Sequence, residues 1–293
     1  MKYGMNLLLW TDDATKEDFF PVLERLKKMG FDGVEIPVFD LDPAKYAKLG
    51  KRLDAIGLQR TAVTVRTVDD NPISPDRAVR EKGVAMNKAV LDCCQAGGMK
   101  LLVGPYYAAL GHFTGRGPTA QEWSHGVESM RQVAVHAETC GVTLALEPLN
   151  RFEIYLLNSA ADGARFVREV AHPRCRLMYD TFHANIEEKS ISSAIAGCAS
   201  ELAHVHISEN DRSTPGRGQV NWAESFDALQ RIGYDGWLTI EAFGQALPAL
   251  AAATKIWRPM FENEEKLAAD GLAFMQREWT RRSSSPLAAR KAG

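Results

Sequence analysis

A single (β/α)8 barrel is the fold the sequence predicts. Eight short runs rich in Val, Ile, Leu and Met alternate with longer amphipathic stretches, and no Pro/Gly/Ser-rich linker divides the middle of the 293-residue chain. At roughly 150 residues per domain the length would also fit two domains, but eight strand–helix units close more economically into one barrel. The competing open doubly wound sheet often carries a glycine-rich phosphate loop after its first strand, and none follows Trp10. The barrel is expected over residues 1–282, including a C-terminal helical stretch to Trp279, with SSSPLAARKAG over 283–293 read as a disordered tail.

The elements follow in order. The first apolar run lies near Tyr3 to Leu9, and Thr15 to Met29 then places Phe19, Phe20, Leu23 and Leu26 at helical spacing before Gly30 as a stop. The second run, near Gly33 to Val38, leads to a helical pattern over Pro43 to Ile56 ended by Gly57. The third, near Arg60 to Val65, leads to Asp76 to Ala96 ended by Gly97. Runs near Lys100 to Val103 and Val142 to Leu146 enclose a helix over Thr119 to Cys140 that stops at Gly141. Ser159 to Val170 precedes the sixth run, Arg176 to Tyr179. The sixth helix is expected within Glu187 to Cys198, where IEEKSISSAIAG mixes serines with a weak apolar stripe. The seventh and eighth runs, Ala203 to Ile207 and Trp237 to Ile240, are separated by a helix over Asn221 to Ile232 and by Gly233.

Composition narrows the function. Lys and Arg total 35 against 37 Asp and Glu, a formal charge of -2 without a basic block, which argues against nucleic acid or an anionic membrane as a partner. The N-terminal MKYGMNLLLWTDD reaches acidic residues too soon for a signal peptide, and no apolar window is long enough to span a bilayer, so a cytoplasmic protein is expected. Five cysteines, an odd number with neither C-x-x-C nor zinc spacing, are expected to be reduced and mostly buried.

Barrel strands are buried on both faces, so an ionisable residue at a strand's C-terminal end faces the mouth or needs a buried partner. Strands five to eight all end that way, at Glu147, Asp180, His206 and Glu241. Three carboxylates and an imidazole converging in a low-dielectric mouth repel unless a divalent cation compensates them. The oxygen-rich set with one nitrogen suits Mn²⁺, Mg²⁺ or Co²⁺, and zinc stays open. The competing reading pairs these groups with Arg151, Arg176 or Arg212 and needs no metal.

Further polar residues follow at short spacing: Glu153, His183 and Arg212, expected on βα loops where the oxygens of a small polyol could be read. His204 precedes His206 by two residues and is read as a deeper, hydrogen-bonded core histidine. His112, His125, His136 and His172 look like surface or packing residues. Glu35 is weighed as a further mouth carboxylate, and Trp10 and Tyr106 as possible pocket walls, the latter in the long loop GPYYAALGHFTGRGPT after strand four.

The runs EPLNRFE (147–153) and DTFHANIEE (180–188), followed in order by HVHISENDR, PGRG, IEAF and IWR, resemble the D-tagatose 3-epimerase / D-psicose (allulose) 3-epimerase family of ketose 3-epimerases, within the xylose isomerase-like barrels. The resemblance runs from Lys2 to about Arg277 and is densest from Glu147 to Glu241. It implies Glu147, Asp180, His206 and Glu241 as metal ligands, most often of Mn²⁺. It also implies Glu147 and Glu241 as the two acid/base residues, and Glu153, His183 and Arg212 as the groups that bind the O1 to O3 end. The run SENDR, where many relatives have GES-H-R, and the loop around Tyr106 to Phe113 depart from the family pattern at the substrate's far end.

That constellation suits C3 epimerisation of a free ketose: a C3 proton acidified by the C2 carbonyl, a cation steadying the enediolate, and two carboxylates working opposite faces. An aldose/ketose or hydroxypyruvate isomerase and an inosose-dehydratase-like lyase are the rivals on the same barrel. A DNA phosphodiesterase like endonuclease IV would need a richer zinc cluster and a basic groove, and a mere sugar binder would need no paired glutamates. Nothing resembles a phosphate nest, and a homodimer or homotetramer is expected by the resemblance, with the apolar residues near Trp257 to Phe261 as one possible contact.

Overall fold

The computed structural model describes residues 1–283. Its elements run β1 (Lys2–Asn6), α1 (Phe20–Met29), β2 (Gly33–Pro37), α2 (Pro43–Ile56), β3 (Gln59–Val63), α3 (Arg77–Gly97), β4 (Leu101–Gly104), α4 (Ala120–Cys140) and β5 (Thr143–Leu146). They continue with α5 (Ala160–Val170), β6 (Cys175–Asp180), α6 (Thr181–Glu187), α7 (Ile191–Gly197), β7 (Leu202–Ile207), α8 (Trp222–Arg231), β8 (Trp237–Ile240), α9 (Pro248–Thr254) and α10 (Glu264–Ser283). The eight strands pair in chain order, all parallel, and β8 returns to β1 to close the barrel.

Period-two alternation sorts the strand side chains into two cores. Met5, Val34, Ile36, Ala62, Leu102, Leu144, Leu177, Val205 and Leu238 point outward and pack against the helices. Val63, Leu101, Val103, Ala145 and Met178 fill the lumen. The lumen-facing phase of β2 and β7 carries Glu35, His204 and His206, all fully buried. The same alternation that makes a dry wall outside thus delivers the ionisable groups inside.

Several boundaries differ from the expected ones, each for a local reason. β1 stops at Asn6 because its side chain accepts from the Leu8 amide (2.9 Å) and turns Leu7–Leu9 into a 3-10 turn. The first helix begins at Phe20 rather than Thr15, after a separate 3-10 turn at Glu17–Phe19, with Pro21 in its first turn where no amide is needed. α3 runs through Gly97, and the left-handed cap is Gly98 (φ 71°). Instead of one sixth helix there are two, because Asp180 caps a helix that starts directly at the end of β6.

α10 packs on α8 and against β8 and β1, and Phe274 meets Trp222 and Phe226 edge to face at 5.2 and 6.0 Å between ring centroids. Of the expected tail, residues 284–293 lie outside the described residues. All five cysteines are free and buried, and no described helix is long and apolar enough to cross a membrane.

Candidate active site

Strand ends build the site. Glu147 follows β5, and its amide donates to the carbonyl of Gly104 at the end of β4 (3.2 Å). Gly104 has φ +118°, and a Cβ there would lie 2.4 Å from the Thr64 carbonyl oxygen, so only glycine allows this close seam. Asp180 ends β6 and caps α6: Oδ1 accepts from the amides of Phe182 (2.6 Å) and His183 (3.1 Å), leaving Oδ2 for the lumen. His206 ends the inward row of β7, and Glu241 follows β8 with its amide on the Ile207 carbonyl (3.3 Å).

These four meet. Nδ1 of His206 lies 3.3 Å from Glu241 Oε1, 3.4 Å from Asp180 Oδ2 and 3.8 Å from Glu147 Oε1. Glu147 Oε1, Asp180 Oδ2 and His206 Nδ1 are all buried without a hydrogen-bond partner. Unsatisfied buried acceptors are costly, and several aimed at one point form a donor set that a hard divalent cation would satisfy. Ligand atoms of all four residues lie within 4.8 Å of one another. The alternative pairing with Arg151 or Arg176 fails: Arg151 reaches Glu187, and Arg176 binds the carbonyls of Glu201 and Ser200. Burial first, and then the charge of Glu241, pushes the Glu147 carboxyl well above the usual carboxylate range.

Beside this cluster lies a second one. Arg212 reaches Glu153 through Nη1 (3.0 Å) and Nη2 (3.2 Å), and its guanidinium sits 4.1 and 4.9 Å from the ring centres of Phe182 and Phe243. Its backbone is left-handed (φ 58°), uncommon for a side chain of this size. The loop that imposes this is organised by Glu209, whose buried carboxylate accepts from the amides of Gly216 (2.8 Å) and Val220 (3.0 Å) and from Trp222 Nε1 (2.9 Å). His183 Nδ1 accepts from the Asn150 amide (3.0 Å), and its Nε2 lies 3.2 Å from Arg212 Nη2 and 3.6 Å from Glu147 Oε1. Burial drives the His183 pKa down to about 3, with Arg212 and His206 adding to it against the charge of Asp180.

The cluster opens into a cavity of about 410 Å³ whose wall includes Glu147, Glu153, His183, Arg212 and Glu241. Comparison with known proteins now adds to this geometry. The sequence model of the "Xylose isomerase-like TIM barrel" family matches residues 23–278. The D-psicose 3-epimerase of Ruminiclostridium cellulolyticum is 34% identical over 92% of this chain and 93% of its own. The L-ribulose 3-epimerase of Mesorhizobium japonicum is 33% identical over 94% and 93%. The chain belongs to the xylose isomerase-like TIM barrel family, among its ketose 3-epimerases. A solved structure of D-psicose 3-epimerase with D-tagatose from Clostridium cellulolyticum H10 superposes with a TM-score of 0.86, at 32% identity, covering 95% of this chain and 99% of that one.

Within this ketose 3-epimerase the predicted residues fare unequally. Glu147, Asp180, His206 and Glu241 converge, and Glu153, His183 and Arg212 join them. His183 stands in the first turn of α6 rather than on a loop, because the helix starts at Thr181. Tyr106 is no pocket wall: it is fully buried, and its hydroxyl turns back to donate to the Leu102 carbonyl (3.0 Å). Trp10 packs against the outer core, because the 3-10 turn before it swings the chain off the rim. Leu8, Phe39, Val63, Val65, Pro105 and Leu110 line the wall instead, joined from beyond β5 and β8 by Leu149, Phe243, Leu247 and Leu250, so much of the wall around the polar cluster is apolar. Glu35 lies below the mouth rather than in it, reaching His206 Nε2 at 2.7 Å. Its inward phase with Gly33 and Pro37 was the available signal; its partner on β7 was not.

Proposed function

We propose that this ketose 3-epimerase interconverts free ketoses at C3, using a divalent cation held by Glu147, Asp180, His206 and Glu241. The observation that carries the reading is the pair of glutamates from β5 and β8, both aimed at the one spot where three unpaired acceptors meet. Mn²⁺ is our first choice, with Co²⁺ or Mg²⁺ as substitutes, since the donor set is three carboxylates and one imidazole. A cation there supplies positive charge for the enediolate that forms when the C3 proton leaves. The chain's own part is to handle the proton. Epimerisation requires removal from one face and delivery to the other, so one of Glu147 and Glu241 must start ionised and the other protonated.

The remaining residues orient the sugar. His183 presents its ring and Arg212 a held guanidinium, both on the cavity side with Glu153, which suits the hydroxyl and carbonyl oxygens of the O1 to O3 end. Relatives named for D-psicose and L-ribulose differ in chain length and stereochemistry and share that end. The apolar part of the cavity wall can lie along the carbon chain beyond it with few polar demands. We further propose a homodimer or homotetramer in the cytoplasm; Phe152 (70% exposed), beyond β5, and Trp257 (68%), beyond α9, are candidate contacts, and size-exclusion chromatography with light scattering tests the assembly.

Protein stripped of metal and reloaded with Mn²⁺, incubated with a panel of free ketoses in D₂O, tests the reaction. Metal-dependent appearance of the C3 epimer carrying deuterium at C3 is expected. An aldose product would replace the reading with an isomerase, and loss of water would replace it with a lyase.

A further inference from the structure

Below the candidate metal centre lies a fully buried carboxylate that the proton-transfer scheme does not use. Glu35 sits at the middle of β2, level with Asn6 on β1 and Thr61 on β3 through direct strand register. Its two oxygens are fully engaged in the lumen. Oε1 accepts from Asn6 Nδ2 (2.9 Å) and His206 Nε2 (2.7 Å); Oε2 accepts from Thr61 Oγ1 (2.9 Å) and has His204 Nε2 at 3.1 Å. β2 and β7 are not neighbours in the barrel, so the Glu35–His206 contact crosses the lumen. Asn6 is itself locked, because its Oδ1 caps the Leu8 amide and only its Nδ2 is free to turn to Glu35.

From this arrangement we infer that Glu35 is a positioning residue for the metal centre: it takes the Nε2 proton of His206 and so presents a bare Nδ1 to Glu147, Asp180 and Glu241. The argument is geometric. An imidazole has one proton to place when neutral, and a carboxylate oxygen at 2.7 Å on one nitrogen holds it there. The ring is then fixed in tautomer and in rotation, with the nitrogen that faces the three carboxylates left as a ligand lone pair. Glu35 is held in place for this by the other donors on its oxygens, Asn6 Nδ2 and Thr61 Oγ1, both at 2.9 Å. His204 completes the same layer, which extends its expected role as a core histidine to support of the carboxylate.

The inference rests on His206 being a metal ligand, as proposed above, and its test reads metal binding rather than turnover. Mn²⁺ affinity is measured by competition with a fluorescent chelator for the wild type, Glu35→Gln and Thr61→Val. Glu35→Gln is expected to weaken Mn²⁺ by about 10- to 100-fold. Thr61→Val removes a partner of Oε2 and leaves Oε1 in place, so it is expected to lower thermal stability with affinity unchanged. Long-range ¹H–¹⁵N spectra of the Mg²⁺-loaded wild type should find His206 protonated at Nε2 and bare at Nδ1, a readout independent of whether any variant folds. Wild-type Mn²⁺ affinity in Glu35→Gln, or a proton on Nδ1 in the loaded protein, overturns the inference. A wild type that binds no divalent cation overturns it together with the metal site. One that binds metal as described but converts no ketose overturns the proposed reaction alone.

Discussion

Replacing each acid/base glutamate separately should split the reaction into its halves. Glu147→Gln and Glu241→Gln keep shape and hydrogen bonding but remove the titratable proton, and each still leaves the other carboxylate next to His206 Nδ1, at 3.3 Å from Glu241 or 3.8 Å from Glu147. General acid–base catalysis by a placed carboxylate contributes about 10²- to 10⁴-fold, or roughly 2.7–5.5 kcal/mol of barrier, so net epimerisation should fall by at least that range in either variant. Exchange behaves differently. The two C3 epimers point their protons to opposite faces, so the surviving glutamate can still remove and return the proton of one epimer without inverting it. In D₂O under saturating Mn²⁺, which offsets the weakened ligand, NMR should detect deuterium entering one epimer in Glu147→Gln and the other in Glu241→Gln. Exchange of the same epimer in both variants, or near-wild-type epimerisation in both, would refute the two-base reasoning.

Three further outcomes follow from the same geometry. Arg212→Lys keeps the charge but loses one arm of the Glu153 fork and the flat face between Phe182 and Phe243; about 1.5–3 kcal/mol, or roughly 10- to 150-fold in kcat/KM, is expected, and steady-state kinetics on the best ketose checks it. Because the folded-state pKa of His183 is depressed from 6.5 to about 3, the unfolded chain binds a proton there that the native protein does not. Its contribution to stability should therefore be lost as pH falls through that window, at up to about 1.4 kcal/mol per pH unit, and the slope in urea unfolding should shrink in His183→Gln. Metal removal should lower the melting temperature: at a hundredfold excess over the dissociation constant, bound cation adds about 2.7 kcal/mol, and the Mn²⁺-dependent shift should be diminished in Asp180→Asn.

Much of the site was legible because barrels deliver chemistry at one end. Glu147, Asp180, His206 and Glu241 each end an apolar run, and a charge at that position needs a reason whatever the neighbours are. What local pattern could not decide was direction. Trp10 and Tyr106 follow strands as properly as Glu147 does, yet Trp10 is turned away by a 3-10 turn and Tyr106 is drawn inward by the Leu102 carbonyl. The IEEKSISSAIAG stretch does hold the expected helix, α7, but capping by Asp180 starts an additional, earlier one that carries His183.

By itself the sequence determined the barrel, its strand count and the four converging strand ends, because periodicity and chain order are local properties and parallel strands joined by helices close in few ways. Only the tertiary structure decided that Glu35 supports His206 from across the lumen, and that Phe182 and Phe243 flank Arg212. Those relations join residues 30 to more than 170 positions apart, and which of them touch depends on strand register, side-chain phase and helix packing acting together.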